Sequence, residues 1–173
     1  MTPNAKTIEN MIRGFFEYLT TAPEFSELGV KSFNQLEGKM LPVGADGSIE
    51  SPSLPAFVLE RVSNASSGAA RDDGATTRTV RLVIDCFFVF AAGAAGQAPE
   101  SYRAIIAGMT AQDLCCSESA RLGGLVGSPY IDDAEFIPGD TEPVPSMSNN
   151  RLVLYWVSRF KVVIAKQIRF AAA

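Results

Sequence analysis

RLVLYWVSRFKVVIAK, residues 151–166, is the stretch from which the fold can be read. Successive side chains of a strand alternate. Leu152, Leu154, Trp156, Phe160, Val162 and Ile164 therefore share one side, and Val153, Tyr155, Val157 and Val163 the other. Its β-branched and aromatic content makes it the strongest strand signal in the chain. Extended from residue 151 to 166, it would span roughly 50 Å at about 3.3 Å per residue. A chain of 173 residues folds to a body only about 40 Å across. Such a strand must bend, bulge or project.

Working outward, residues 78–90, RTVRLVIDCFFVF, form a second long strand, with Val80, Leu82, Ile84, Cys86, Phe88 and Phe90 on one face. LPAFVLERV, residues 54–62, is a shorter strand entered from a proline-flanked loop and antiparallel to it. Between them lies residues 63–77, SNASSGAARDDGATT, expected to be a mobile hairpin tip because it has nothing to pack. Ile8, Met11, Ile12, Phe15, Phe16 and Leu19 repeat at helical spacing. Thr2 serves as cap, Pro3 takes the first helical position, and Pro23 and then Gly29 end the helix. Pro99 opens a second helix, extending towards Cys116, whose apolar stripe is Tyr102, Ile105, Ile106 and Met109. One weak strand is expected beyond Lys31. Residues 121–150 are rich in Gly and Pro and read as loop around one short strand, 130–137. The fold class expected is α+β: a mainly antiparallel sheet of long strands with two helices on one face, as a single domain over 1–173 with a loop-rich insertion at 117–150.

Composition narrows the functions available. Apolar residues make up 47% of the chain and charged residues 20%, the balance of a folded domain. A net charge of −4 argues against grip on phosphate backbones. There is no His, so the commonest general base and metal ligand are both missing. The three Cys form no metal-ligand spacing and read as reduced, buried thiols. No apolar run approaches the roughly 20 residues of a membrane span, and the start is unlike a signal peptide, so folding in the cytoplasm is expected.

Chemical motifs are weak. Gly38-Lys39-Met40 lacks the upstream Gly and the hydroxyl of a phosphate loop, and no Gly-x-Ser-x-Gly elbow occurs. Asp72 with Asp73 and Asp132 with Asp133 are adjacent carboxylates of the kind usually just solvated, so no metal, no cofactor and no catalytic residue is assigned. Arg151, Arg159 and Lys161 share one face of the last strand, with Lys166 and Arg169 beyond. Edge charges that discourage aggregation are the commoner cause of such a stripe than nucleic-acid binding. Two helices cover one face of a sheet only, which leaves the reverse face to a neighbouring subunit or to loops 41–53 and 121–150.

Taken in order, TIENMIRGFFEYL, LPAFVLERV, a loose tip, TRTVRLVIDCFFVFA, SYRAIIAGMTAQDL and RLVLYWVSRFKVVIA give helix, strand, long strand, helix, long closing strand. This order resembles the tail terminator proteins of long-tailed bacteriophages. The resemblance implies a virion structural protein at the tail–neck junction, assembled in the host cytoplasm. It would form a homo-oligomeric ring, expected to be a hexamer, that caps the head-proximal end of the tail tube. There it would stop tube polymerisation and join the tail to the head connector or neck protein, while DNA passes through without specific binding. Such a role is not enzymatic. Within the resemblance the subunit contact falls on Val153, Tyr155, Val157 and Arg159, and the tail-tube contact on Arg71, Asp72 and Asp73. Competing readings are another neck, minor tail or head-completion protein, or a small cytoplasmic α+β ligand-binding module with a concave pocket.

Overall fold

Pro3 opens the first helix, α1 (Pro3–Thr21), in the computed structural model, which describes residues 3–34, 54–64, 77–93, 98–116, 125, 129–148 and 151–169. Pro23 does stop α1, yet it also starts a short helix, α2 (Pro23–Glu27), because a proline fits the first turn of a helix, where no amide hydrogen is needed. Gly29, at φ 73°, turns the chain out of α2 in a conformation that residues with a Cβ resist. The weak strand follows as β1 (Ser32–Asn34). Next come β2 (Ala56–Asn64), β3 (Thr77–Gly93), α3 (Ala98–Cys116), β4 (Asp133–Ser148) and β5 (Arg151–Arg169). Ser63 and Asn64 end β2 and Thr77 begins β3, so the ends of the expected tip 63–77 are strand; the rest of it, and the Thr2 cap, lie outside the described residues.

The sheet runs β1-β2-β3-β5-β4. All its pairings are antiparallel except the short parallel contact of β1 with β2. The central pair, β3 and β5, stays in register from Thr77↔Arg169 to Phe90↔Trp156 and resumes at Gly93↔Leu154. Bulges interrupt the ladders at Leu59/Arg61, Phe90/Gly93 and Pro138/Thr141, each bending the sheet and raising its twist. Among the described residues the long strands also overhang their neighbours. Thr77–Val80 pair with Lys166–Arg169 beyond the last paired residue of β2 and the first of β4.

The largest departure from expectation is β4. Pro138, Gly139, Pro143 and Pro145 read as loop, but they lie in a strand that pairs with β5 from Asp133↔Ala165 to Ser148↔Arg151. Position accounts for it: β4 is an edge strand, where a proline need cost no ladder bond. Pro143 and Pro145 are two apart and so turn their nitrogens to the same side. The ladder to β5 is continuous from Thr141 to Ser148, which places that side on the open edge. Gly139 sits at the bulge because a Cβ there would lie 2.6 Å from the Arg159 carbonyl oxygen.

Both helical layers cover one face. Met11, Phe15, Phe16 and Leu19 of α1 and Phe25 of α2 pack on Phe57, Leu59, Leu82, Ile84, Phe88, Phe160 and Val162. At the centre, Phe88 lies 5.0 Å from Phe57, 5.1 Å from Phe25 and 5.6 Å from Phe160 between ring centroids. The reverse face, left by the sequence to a neighbouring subunit or to loops 41–53 and 121–150, is partly buried within the chain; loop 41–53 lies outside the described residues. Leu54, Ala56, Val89, Tyr155 and Val157 form a second buried cluster there, with Phe87, Ala91 and Val144 around it.

Candidate functional site

The second helix is placed as expected but rotated. Ala104, Ala107, Ala111 and Cys115 are buried against the sheet, while Tyr102, Ile105, Ile106 and Met109 face outward. Small residues bring the helix axis close to the strands. Gly108 sets the limit, because a Cβ there would stand 2.9 Å from the Ser158 Oγ. Ser158 is itself buried, and its Oγ accepts a 3.2 Å hydrogen bond from the Thr141 hydroxyl. Beneath a helix this close there is no room for Tyr102 or Met109. The large side chains therefore occupy the side that the expected packing left for solvent.

The N-terminal half of α3 is anchored. The Arg103 guanidinium donates to the Leu28 carbonyl at 3.1 Å, at the C-terminal end of α2, and pairs with Glu100 at 3.9 Å. Glu100 lies in the first helical turn, where a negative charge suits the helix dipole. Beside the stripe, α3 and β4 border a shallow groove of about 150 Å³ that includes Ile105, Met109, Phe136, Pro138 and Thr141. Beyond it lies the end of the β4–β5 pair. Leu152 is exposed, Leu154 and Trp156 are half-buried, and their cross-strand partners Pro143 and Pro145 are exposed.

The residues expected to make the subunit contact lie elsewhere. Tyr155 and Val157 are buried within this chain, in the cluster with Leu54 and Val89, so neither offers a free surface. Side-chain alternation identifies a face but not what covers it. Of Val153 only the backbone is described, paired with Ser146. Arg159 is exposed, 3.4 Å from Glu142 and 3.9 Å from Glu60, with its guanidinium 5.8 Å from the centre of the Phe87 ring. Arg71, Asp72 and Asp73 lie outside the described residues.

Arg159, Lys161 and Lys166 of the basic stripe are matched by carboxylates, while the side chains of Arg151 and Arg169 lie outside the described residues. Besides the Arg159 pairs, Lys161 stands 3.5 Å from Asp85 and Lys166 2.6 Å from Asp132. Asp132 also accepts the Gln167 amide at 2.7 Å. Burial opposes ionisation of Asp132, but the Lys166 hydrogen bond, the Gln167 amide and the Lys166 charge outweigh it, so its pKa lies below the ordinary carboxylate value. A second groove, of about 290 Å³, lies over Asp85, Arg159, Lys161 and the Pro138–Gly139 bulge. The charged side chains bordering it are engaged with one another.

Cys86 and Cys115 are buried free thiols. Burial first, then the neighbouring Cys115 and Asp85, push the Cys86 thiol well above its usual pKa, away from nucleophilic duty. Among the described residues no group of three His, Cys, Asp or Glu could hold a metal ion, and no helix is long and apolar enough to cross a membrane. Searches of protein-family models and of curated proteins find no match to this chain. Among the described residues the large apolar side chains left exposed are Tyr102, Ile105, Ile106 and Met109 on α3, with Tyr130, Ile137 and Leu152.

Proposed function

We propose that this protein is a virion structural subunit of the tail-terminator kind. It assembles into a ring on the head-proximal end of a phage tail tube, stops tube growth and presents a docking face to the head connector. The observation that carries this reading is the outward apolar stripe of α3 on a sheet whose long strands overhang their neighbours. A chain that keeps Tyr102, Ile106 and Met109 in water has surface to bury against another protein. The order of elements, with long antiparallel β3 and β5 flanking a surface helix, supports the same reading. The net charge of −4 suits a ring whose lumen must release DNA, since strong phosphate contacts would hold the genome back.

Electron microscopy of particles made without this protein tests the proposal. Tails of abnormal length and headless tubes are expected. Normal free tails beside leaking heads would instead assign the protein to head completion, and unaltered virions would overturn a structural role altogether.

A further inference from the structure

Two uncovered apolar surfaces on this chain differ in kind. One is convex: Tyr102 is 65%, Met109 61%, Ile106 48% and Ile105 44% exposed along α3. These side chains leave on the order of 450 Å² in water, within the range of the largest apolar patch of a monomer, which is often functional. The other is flat: the helix-side end of the β4–β5 pair, where Leu152 is 68% exposed beside Leu154, Trp156, Pro143 and Pro145. A helix stripe and an open sheet face are the two halves of a helix-on-sheet layer, the arrangement by which α1 and α3 already cover the rest of this sheet.

We propose that α3 of one copy packs on the bare β4–β5 sheet end of the next copy, in a head-to-tail contact. A standard interface buries about 800 Å² from each partner as an apolar core within a polar rim. The stripe supplies about half of that area as core. Arg103, Gln112 and Asp113, all exposed, border it as rim. The two surfaces are different patches, so the contact is heterologous: it propagates from copy to copy until a ring closes. Pairing α3 with α3 about a two-fold axis would stop at two copies and leave Leu152 in water. The proposal rests on the tail-terminator reading's premise of self-assembly and on the same α3 stripe.

Native mass spectrometry of the full chain tests it. Wild type is expected as an oligomer, while Ile106→Asp and Leu152→Asp are each expected as folded monomers by circular dichroism and mass. Each variant keeps the surface the other has lost. Mixed together they should therefore form a 1:1 dimer and nothing larger. Trp156, the single tryptophan, should shift its emission to shorter wavelength on mixing as α3 of the partner covers it. Tyr102→Glu replaces Ile106→Asp if the latter does not fold. A monomeric wild type overturns the proposal, since the stripe would then be covered by the chain's own residues or await a different protein. An assembly that survives either substitution, or a mixture that stays monomeric, also overturns it. Tail morphology plays no part in this readout, so failure of the tail-terminator reading and failure of this contact are separable.

Discussion

Substituting the two faces of α3 in turn separates a packing face from a free one. Ala107 is fully buried against the sheet, in a helix held close enough that Gly108 nearly touches Ser158. A leucine at 107 adds three carbons where none fit, and overpacking of this kind costs roughly 1–3 kcal/mol. Met109 lies mostly in water. Met109→Ala gives up only the covered minority of its side chain, and alanine's higher helix propensity offsets part of that, leaving a cost of about 0.5 kcal/mol. The two variants should therefore differ by about 0.5–2.5 kcal/mol. With a urea slope of roughly 2 kcal/mol per M, that gap separates their midpoints by about 0.3–1.2 M. Measurement at protein concentrations on the order of 1 µM keeps self-association from adding to the apparent stability. If Ala107→Leu were neutral while Met109→Ala lost 2 kcal/mol or so, the helix would be turned the other way, and the stripe would be core.

Further expectations concern the core and the titrating groups. Phe88→Ala removes the ring between Phe25, Phe57 and Phe160 and should cost about 3–5 kcal/mol in urea unfolding; a loss below about 1 kcal/mol would mean that this cluster is not central. Asp132 has a lowered pKa in the folded state, so the unfolded chain binds the proton more readily. Its contribution is present above about pH 4 and is lost as pH falls through the folded value. Asp132→Asn should accordingly flatten the loss of stability between about pH 4 and pH 2, and an unchanged acid limb refutes the Lys166 and Gln167 contacts. The Cys86 thiol should react with a disulfide reagent at pH 8 only at the rate of unfolding, and rapid native labelling assigned to Cys86 by peptide mapping would contradict its burial.

Where one signal dominated, the fold was legible in the sequence. Alternation over 78–90 and 151–166 located β3 and β5, and helical spacing from Ile8 to Leu19 located α1 and its buried face. Local signals failed where the tertiary position of an element reversed their meaning. Pro138, Pro143 and Pro145 break a central strand but not an edge strand, and which strand lies at the edge is a property of the whole sheet. In α3 both stripes repeat at helical spacing. Choosing the one with larger side chains assumes burial follows hydrophobic bulk, whereas the close approach of this helix selects Ala104, Ala107 and Ala111. The same limit affected the contact residues. Tyr155 and Val157 read correctly as the reverse face, but their burial together with Leu54 and Val89 is a tertiary contact that periodicity cannot encode.

The prolines of β4 have a consequence for how such a molecule can grow. A strand border that withholds amide hydrogens at Pro143 and Pro145 is a poor template for another backbone, so accretion of sheet upon sheet is discouraged at that margin. Association is left to shaped side-chain surfaces, where the angle between neighbours is dictated by packing. Fibrils grow without limit; a contact of fixed angle can return to its starting point and count its own members.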